Sequence, residues 1–313
     1  MPASDPPQAA HTPTTPDEPS APRPSPAEPP AWWARLLSRL PLPVLYAISG
    51  FAAWLAFRVV AYRAAMIDAS LARAFPELDA RQRRAVRYRY YRGFAQMFAE
   101  LLKAPALGPD EIRRRVRIVN LEEPRALLAR GQPVLLVAAH QGNWEWMLLA
   151  LSLDLGYPLD AAYKPLVNEW AEREMKKLRT RFGTRLVPAQ ELLADIIRRR
   201  GVVRAVAMVA DQEPARSERR YWTRFLNRDT AFYMGPEEIA RVTQFPVFFI
   251  TIRRRARGYY EMEFLPLARG GKPLPPGTLT ERYAHLVEEQ IRAAPPDWPW
   301  SHKRWRLKKS VYQ

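Results

Sequence analysis

The sequence predicts an α/β fold, a single domain with a central, mostly parallel or mixed sheet flanked by helices. Three observations predict it. Continuous apolar runs at 134–139 (VLLVAA), 202–210 (VVRAVAMVA) and 246–252 (PVFFITI) have the character of short strands buried on both faces. Helical patterns at 143–155, 168–182, 189–200, 235–244 and 279–293 separate or follow them. The segment 259–265 (YYEMEFL) alternates, as a strand with one solvated face does. Strands alternating with helices imply a sheet covered by helical layers. With 313 residues, 48% of them apolar, the chain can bury a core of that size.

Three segments differ enough in composition to be read separately. In residues 1–30, eleven are Pro, interleaved with Ala, Ser and Thr, and no large apolar residue follows Met1. Such a stretch has no N–H groups at its prolines and nothing to bury, so a disordered tail is expected. It lacks the basic-then-apolar order of a signal peptide. Residues 31–66 form an expected membrane anchor helix. Trp32 and Trp33 precede Arg35 and Arg39, and Val44 to Phe57 is a charge-free apolar stretch. Fourteen helical residues span about 21 Å, short of the ~30 Å hydrocarbon core. Extension to Tyr62 takes in Arg58, which can snorkel from a helix end. A short span and an interfacial anchor both fit this pattern, with aromatic and Arg residues at the headgroup boundary. Residues 67–313 form the remaining domain, opening with a helical pattern at 79–103 whose Phe94, Met97, Phe98, Leu101 and Leu102 make one apolar stripe.

Composition also excludes chemistries. There is no cysteine, hence no disulfide framework, thiolate metal site or thiol nucleophile. Histidine occurs only at 11, 140, 285 and 302, and no HExxH pattern offers a metal site. The 49 Lys and Arg exceed 32 Asp and Glu, for a formal charge of +17. Arg-rich runs at 81–92, 111–117, 198–200, 253–257 and 302–309 suit anionic lipid headgroups or an acidic partner. Their interleaved Tyr and Trp also suit single-stranded nucleic acid, and solvated helix faces account for many of them. His285 falls in an amphipathic helix and reads as structural.

The chemistry-bearing motif follows the first apolar run. Ala138-Ala139-His140 leads into Gln141-Gly142-Asn143-Trp144-Glu145, a strand, a Gly-containing turn and a helix start, where open α/β sheets place their sites. Asn143 is placed as an N-cap and Glu145 in the first helical turn, where the dipole favours a carboxylate. A carboxylate reaching back across the turn to one nitrogen of His140 would leave the other free as a base, with no Ser or Cys nucleophile required. A structural histidine at a strand end is the competing reading.

His140-Gln141-Gly142-Asn143-Trp144-Glu145 resembles the HxxxxE signature of the bacterial lipid A late acyltransferases, the lauroyl/myristoyl transferases of the wider HxxxxD/E glycerolipid acyltransferase group. The likeness continues through Tyr163-Lys164-Pro165 with Asn168, Arg181-Phe182-Gly183, and Ala210-Asp211-Gln212. It resumes at Phe225-Leu226-Asn227 through Gly235-Pro236 and Ile239-Ala240-Arg241, and closes with Trp298-Pro299-Trp300-Ser301-His302-Lys303-Arg304-Trp305. The resemblance implies an acyltransferase moving a fatty chain from an acyl carrier protein thioester to a hydroxyl of a lipid acceptor. In the family's best-known members that acceptor is a lipid A precursor. It implies attachment to the bacterial inner membrane with the catalytic domain on the cytoplasmic side, no cofactor, no metal and no nucleic acid. His140 would be the general base and Glu145 its orienting carboxylate. Substrate would be held by Gly142, Asn143, Lys164, Asn168, Arg181, Asp211, Gln212, His302 and Arg304. The backbone amides of Gly142 and Asn143, with Lys164, are the expected oxyanion donors. Asp211 and Gln212 either contact substrate or brace the His140 loop, and the C-terminal Trp/His/Arg cluster either caps an acyl tunnel or holds a phosphate.

Two positions depart from the family pattern. Lys164 stands where Arg is usual, keeping the charge but losing the bidentate fork. Asn227 replaces a Gly, and Asn tolerates the positive φ such a turn needs. A different lipid or glycolipid acceptor is therefore an alternative, beside a membrane-tethered nucleic-acid binder and a non-catalytic scaffold; retention of both His140 and Glu145 argues against the last.

Overall fold

A computed structural model describes residues 32–309 apart from Pro273, and the side chains of Trp32, Trp33 and Arg35 are outside the description. The expected Pro-rich tail, 1–30, lies outside the described residues.

The first helices run α1 (Trp32–Arg39), α2 (Leu42–Leu55) with a π-helical extension Ala56–Val60, α3 (Ala64–Ala74) and α4 (Ala80–Lys103). Asp79 starts α4 with a full capping box: its carboxylate accepts the Gln82 N–H while the Gln82 amide accepts the Asp79 N–H. Next come α5 (Pro109–Arg115), β1 (Val116–Ile118), α6 (Glu122–Ala129), β2 (Val134–Ala138) and α7 (Trp144–Asp154). Then follow β3 (Leu159–Tyr163), α8 (Glu169–Thr180), β4 (Arg185–Pro188), α9 (Leu192–Arg198) and β5 (Ala205–Val209). The hairpin β6 (Arg220–Phe225) and β7 (Arg228–Tyr233) precedes α10 (Gly235–Thr243), β8 (Val247–Ala256), β9 (Tyr259–Ala268) and α11 (Thr278–Ala293).

Among the described residues, seven strands form one sheet in the order β1-β9-β8-β2-β5-β3-β4. All neighbours are parallel except β8 and β9, which pair antiparallel through the short link at Gly258. The sheet is thus mixed, with β2 and β5 at its centre. The hairpin β6–β7 stands apart, turning on Leu226 and Asn227 at φ 48° and 61°. Two consecutive positive φ values are the requirement of a type I′ turn, and they account for Asn at 227. Its amide also donates to the carbonyls of Arg73 and Ala74 at the end of α3.

Strand alternation divides the interior into two layers. Leu135, Val137 and Ala139 pack with α11, α9 and the Trp298–Trp300 segment on one face. Val134, Leu136 and Ala138 pack with α5, α6 and α7 on the other. Expected helix ends differ only locally: the pattern over 189–200 becomes α9 at Leu192–Arg198, and the run 202–210 becomes β5 at Ala205–Val209. The strand starts late because Arg204 is fully buried at its head, its guanidinium donating to the carbonyls of Arg199 and Val202. Strands β1, β3, β4, β6 and β7 carry no long apolar run and lie outside the expected strands. Short edge and hairpin strands bury too little to need one, and β3, though internal, is interrupted by Asp160 and two alanines.

Candidate active site

The register of β2 against β5 sets the site. Ala138 pairs with Val209, so two residues further on His140 leaves β2 beside Asp211 leaving β5. Asp211 Oδ1 accepts the His140 backbone N–H at 3.1 Å and lies 2.6 Å from His140 Nδ1. Asp211 Oδ2 accepts the Trp298 indole N–H at 3.0 Å. Burial alone raises the Asp211 carboxyl, but the adjacent His140 ring and the hydrogen bonds from His140 and Trp298 outweigh it and hold the acid below its usual range. An ionised carboxylate only accepts, so Nδ1 carries the proton and Nε2 is the ring nitrogen left to accept one. The Gln212 amide nitrogen lies 3.4 Å from Nε2, and the Trp144 ring meets the imidazole edge-on at 5.2 Å.

This corrects the expected pairing. The carboxylate on His140 is Asp211, not Glu145. Glu145 is buried in the first turn of α7, where its oxygens accept from Arg179 at 2.6 and 2.9 Å and from the Trp144 indole at 3.1 Å. Asn143 starts the helix with Oδ1 on the Trp146 N–H, and Glu145 meets Arg179 on α8. Burial works against the Arg179 charge, but the paired Glu145 more than restores it, and its pKa is raised.

The turn between β2 and α7 is held from several sides. Gln141 donates to the Gln290 carbonyl of α11. Gly142, at φ 59°, donates its N–H to the Asp297 carbonyl at 3.0 Å. Asn143 is fully buried and donates Nδ2 to Glu100 of α4 at 2.8 Å. The left-handed backbone at 142 thus spends its amide on the C-terminal segment, so Gly142 is not a free oxyanion donor, and Asn143, wholly buried and outside the cleft lining, presents neither its amide nor its capping side chain to substrate.

His140, Trp144, Glu145, Lys164, Arg179 and Gln212 line one cleft of about 290 Å³. Its floor is apolar, and its depth has a sequence cause. Ala161 of β3 pairs with Ala207 of β5, which pairs in turn with Leu136 of β2, so two methyl side chains sit side by side where larger strand residues would fill the space. Met147, Leu148 and Leu151 of α7 form the opposite wall.

The other expected substrate residues divide. Lys164 reaches the cleft, well exposed and 3.4 Å from Glu218. Asn168 is the N-cap of α8, accepting the Ala171 N–H. Arg181 donates to the Ala104 carbonyl and stacks over Phe182, away from the cleft. Arg179 takes the place on the wall instead, because two residues along a helix turn a side chain by about 200°. Arg304 is buried, donating to the carbonyls of Asp211 and Ala231, and burial lowers its pKa to about 10. It braces Asp211 and does not face substrate. His302 does not line the cleft; burial lowers its pKa. The closing segment is pinned further by Glu213, which accepts the N–H groups of Arg306 and Leu307. Of the two readings of Asp211-Gln212, bracing holds for Asp211, while Gln212 faces the cleft. Arg179 was not legible as a site residue, since only the docking of α8 brings it to the cleft; Trp144 lies inside the His140–Glu145 motif and Trp298 inside the C-terminal cluster, but the sequence assigns neither its role against His140 or Asp211.

Comparison with known proteins identifies the family. The family model for bacterial lipid A biosynthesis acyltransferases matches residues 31–307. The lipid A biosynthesis lauroyltransferase of Escherichia coli K12 is 24% identical over 87% of this chain and 89% of that protein. The palmitoleoyltransferase of the same strain is 21% identical over 86% and 87%. A lipid A biosynthesis acyltransferase of Shigella flexneri is similar to the same extent.

Proposed function

The chain belongs to the bacterial lipid A biosynthesis acyltransferase family, and from that premise we propose that it moves a fatty acyl chain from an acyl carrier protein thioester to a hydroxyl of a lipid A precursor, with His140 as general base. The observation that carries this reading is the His140–Asp211 pair at the rim of an apolar cleft. The acyl chain lies along Leu136, Ala161 and Ala207, with the thioester carbonyl near the imidazole. As the acceptor hydroxyl attacks that carbonyl, Nε2 takes its proton and the new C–O bond forms. Collapse of the tetrahedral intermediate breaks the C–S bond, and the imidazolium returns the proton to the departing carrier thiolate. Asp211 stays ionised throughout, fixing the tautomer and stabilising the imidazolium. General-base help of this kind contributes about 10²–10⁴-fold.

Arg179, held by Glu145, and Lys164 are the cations available to the oxyanion or to a phosphate of the acceptor. The acceptor is read as a phosphorylated glycolipid because these two cations stand at the polar rim of a cleft whose floor is apolar, although Glu145, Glu213 and Glu218 share that rim. The basic excess and the apolar α2 support work at the cytoplasmic face of the inner membrane. The test is acyl transfer from acyl carrier protein to a phosphorylated glycolipid, followed by mass spectrometry. His140→Ala is expected to abolish transfer; turnover at the wild-type rate by that variant would sink the assignment.

A further inference from the structure

The segment 42–60 is long and apolar enough to cross a bilayer: nineteen residues with a single charge, Arg58. Length therefore does not decide how it meets lipid. Packing does. One face of α2, formed by Leu42, Leu45, Tyr46, Ser49 and Ala53, is buried. Tyr46 sends its O–H to the fully buried Glu100 of α4 at 3.0 Å. Burial, helped by the Glu100 carboxylate, raises the Tyr46 phenol, so it remains a donor. The same carboxylate accepts Tyr260 O–H at 2.6 Å and the Asn143 amide. Further along, Phe57 packs edge-on against Tyr88 and Tyr91, with the Arg84 and Arg87 guanidinium groups over its ring. α2 thus lies antiparallel along α4, joined to it at both ends.

The opposite face is bare. Val44, Ile48, Phe51, Leu55 and Val59 recur at helical spacing and are exposed, Phe51 by 65% and Val59 by 66%. The chain then reverses at once: Ala61 and Arg63 take left-handed φ values of 47° and 54°, and α3 returns Ile67 and Leu71 to the core. No acidic residue occurs from Ala31 to Ile67, while Arg39, Arg58 and Arg63 are exposed beside the stripe.

We infer that α2 does not cross the bilayer but lies in the headgroup–acyl boundary of one anionic leaflet, with Val44, Ile48, Phe51, Leu55 and Val59 in the lipid. Crossing demands one of two things. Either α2 leaves α4 and strips Glu100 of the Tyr46 donor, or it drags α4, with exposed Arg84, Arg89 and Arg92, into hydrocarbon. Lying flat requires neither: the bare stripe meets acyl chains, and the flanking arginines meet phosphates. The occupant is a lipid surface because the patch joins an unbroken apolar stripe to a border that is basic apart from Asp68, whose charge is paired with Arg87. The inference rests on the membrane attachment proposed above but not on the acyl-transfer chemistry.

The absence of cysteine makes the test direct. Arg39→Cys reports the chain before α2, and Gln132→Cys reports the domain after it. Each is introduced singly into the full chain and treated with an impermeant maleimide in right-side-out and inverted membrane vesicles. Both are expected to react from the same side; reaction from opposite sides overturns the inference. In a second arm, purified protein is sedimented with phosphatidylglycerol or phosphatidylcholine vesicles. Phe51→Asp is expected to weaken binding to phosphatidylglycerol roughly tenfold or more, with an unchanged thermal midpoint. Equal binding to both lipids, or undiminished binding by Phe51→Asp, overturns it. So does a wild-type dimer that Phe51→Asp dissociates without loss of vesicle binding. A chain that labels from one side yet transfers no acyl group would remove the proposed reaction and leave the inference standing.

Discussion

The two faces of the central sheet share its strands and end up unlike. On one, Val137, Val206 and Phe249 meet Tyr283, Val287 and the Trp298–Trp300 pair, and large side chains fill the layer. On the other, Ala161 and Ala207 lie in register below α7 and leave a cleft. The difference shows a division of work. The filled face supplies the group that must not move, since Trp298 and Arg304 fix both the carboxylate and the backbone of Asp211. The hollow face supplies room for what must enter. His140 stands where the two meet.

The comparison breaks first at Asp211. Asp211→Asn keeps the shape but removes the charge that selects the Nδ1–H tautomer, and transfer is expected to fall by about 10²–10⁴-fold. Glu145→Gln should cost less, because Glu145 holds Arg179 and not the imidazole. Steady-state rates of the two variants decide the matter: a larger loss for Glu145→Gln would return the orienting role to that residue.

The hollow face sharpens the comparison through chain length. Ala207→Leu adds three carbons to the cleft floor beside Ala161 and Leu136. At ~0.8 kcal/mol per buried methylene, excluding three costs a long acyl chain about 2.4 kcal/mol, roughly 50-fold in kcat/KM. Donors short enough to stop before residue 207 should be used as well as before. Competition between carrier-bound chains of different length measures the shift; an equal loss for all lengths would mean that the chain lies elsewhere.

Much of this was legible in the sequence, and the part that was not shares one cause. The central strands β2, β5 and β8, the helix pattern after them and the positive-φ demand at Asn227 are local properties of runs and turns. So is the placement of His140 at a strand end. Its partner was not local. Glu145 lies five residues away and looked available, yet Asp211 arrives from 71 residues on because β2 and β5 pair in parallel at a definite register. Arg181 and Arg179 differ by two positions, and only the docking of α8 chooses which faces the cleft. Gly142 and Asn143 read as substrate contacts because their other partners, Asp297 and Glu100, lie far off in the chain.

The filled face can also be probed by acid, with the smallest expected effect. Burial lowers the His302 pKa below its ordinary 6.5, and the balance of contacts lowers Asp211 below 3.8. In both cases the native state binds protons less readily than the unfolded chain. Each group therefore contributes stability that is present above its unfolded pKa and is lost as pH falls through its folded one. Two windows follow: His302 weakens the fold from about pH 6.5 downward, and Asp211 does so from about pH 3.8 downward. Each unit of separation amounts to about 1.4 kcal/mol, or roughly 3–6 °C in thermal midpoint for a chain of this size. Midpoints recorded between pH 8 and pH 3 should show His302→Gln flattening only the upper window and Asp211→Asn only the lower. If His302→Gln follows the wild type from pH 6.5 to 5, the ring titrates as a solvent-facing histidine, and the closing segment does not share the dry packing that holds Asp211.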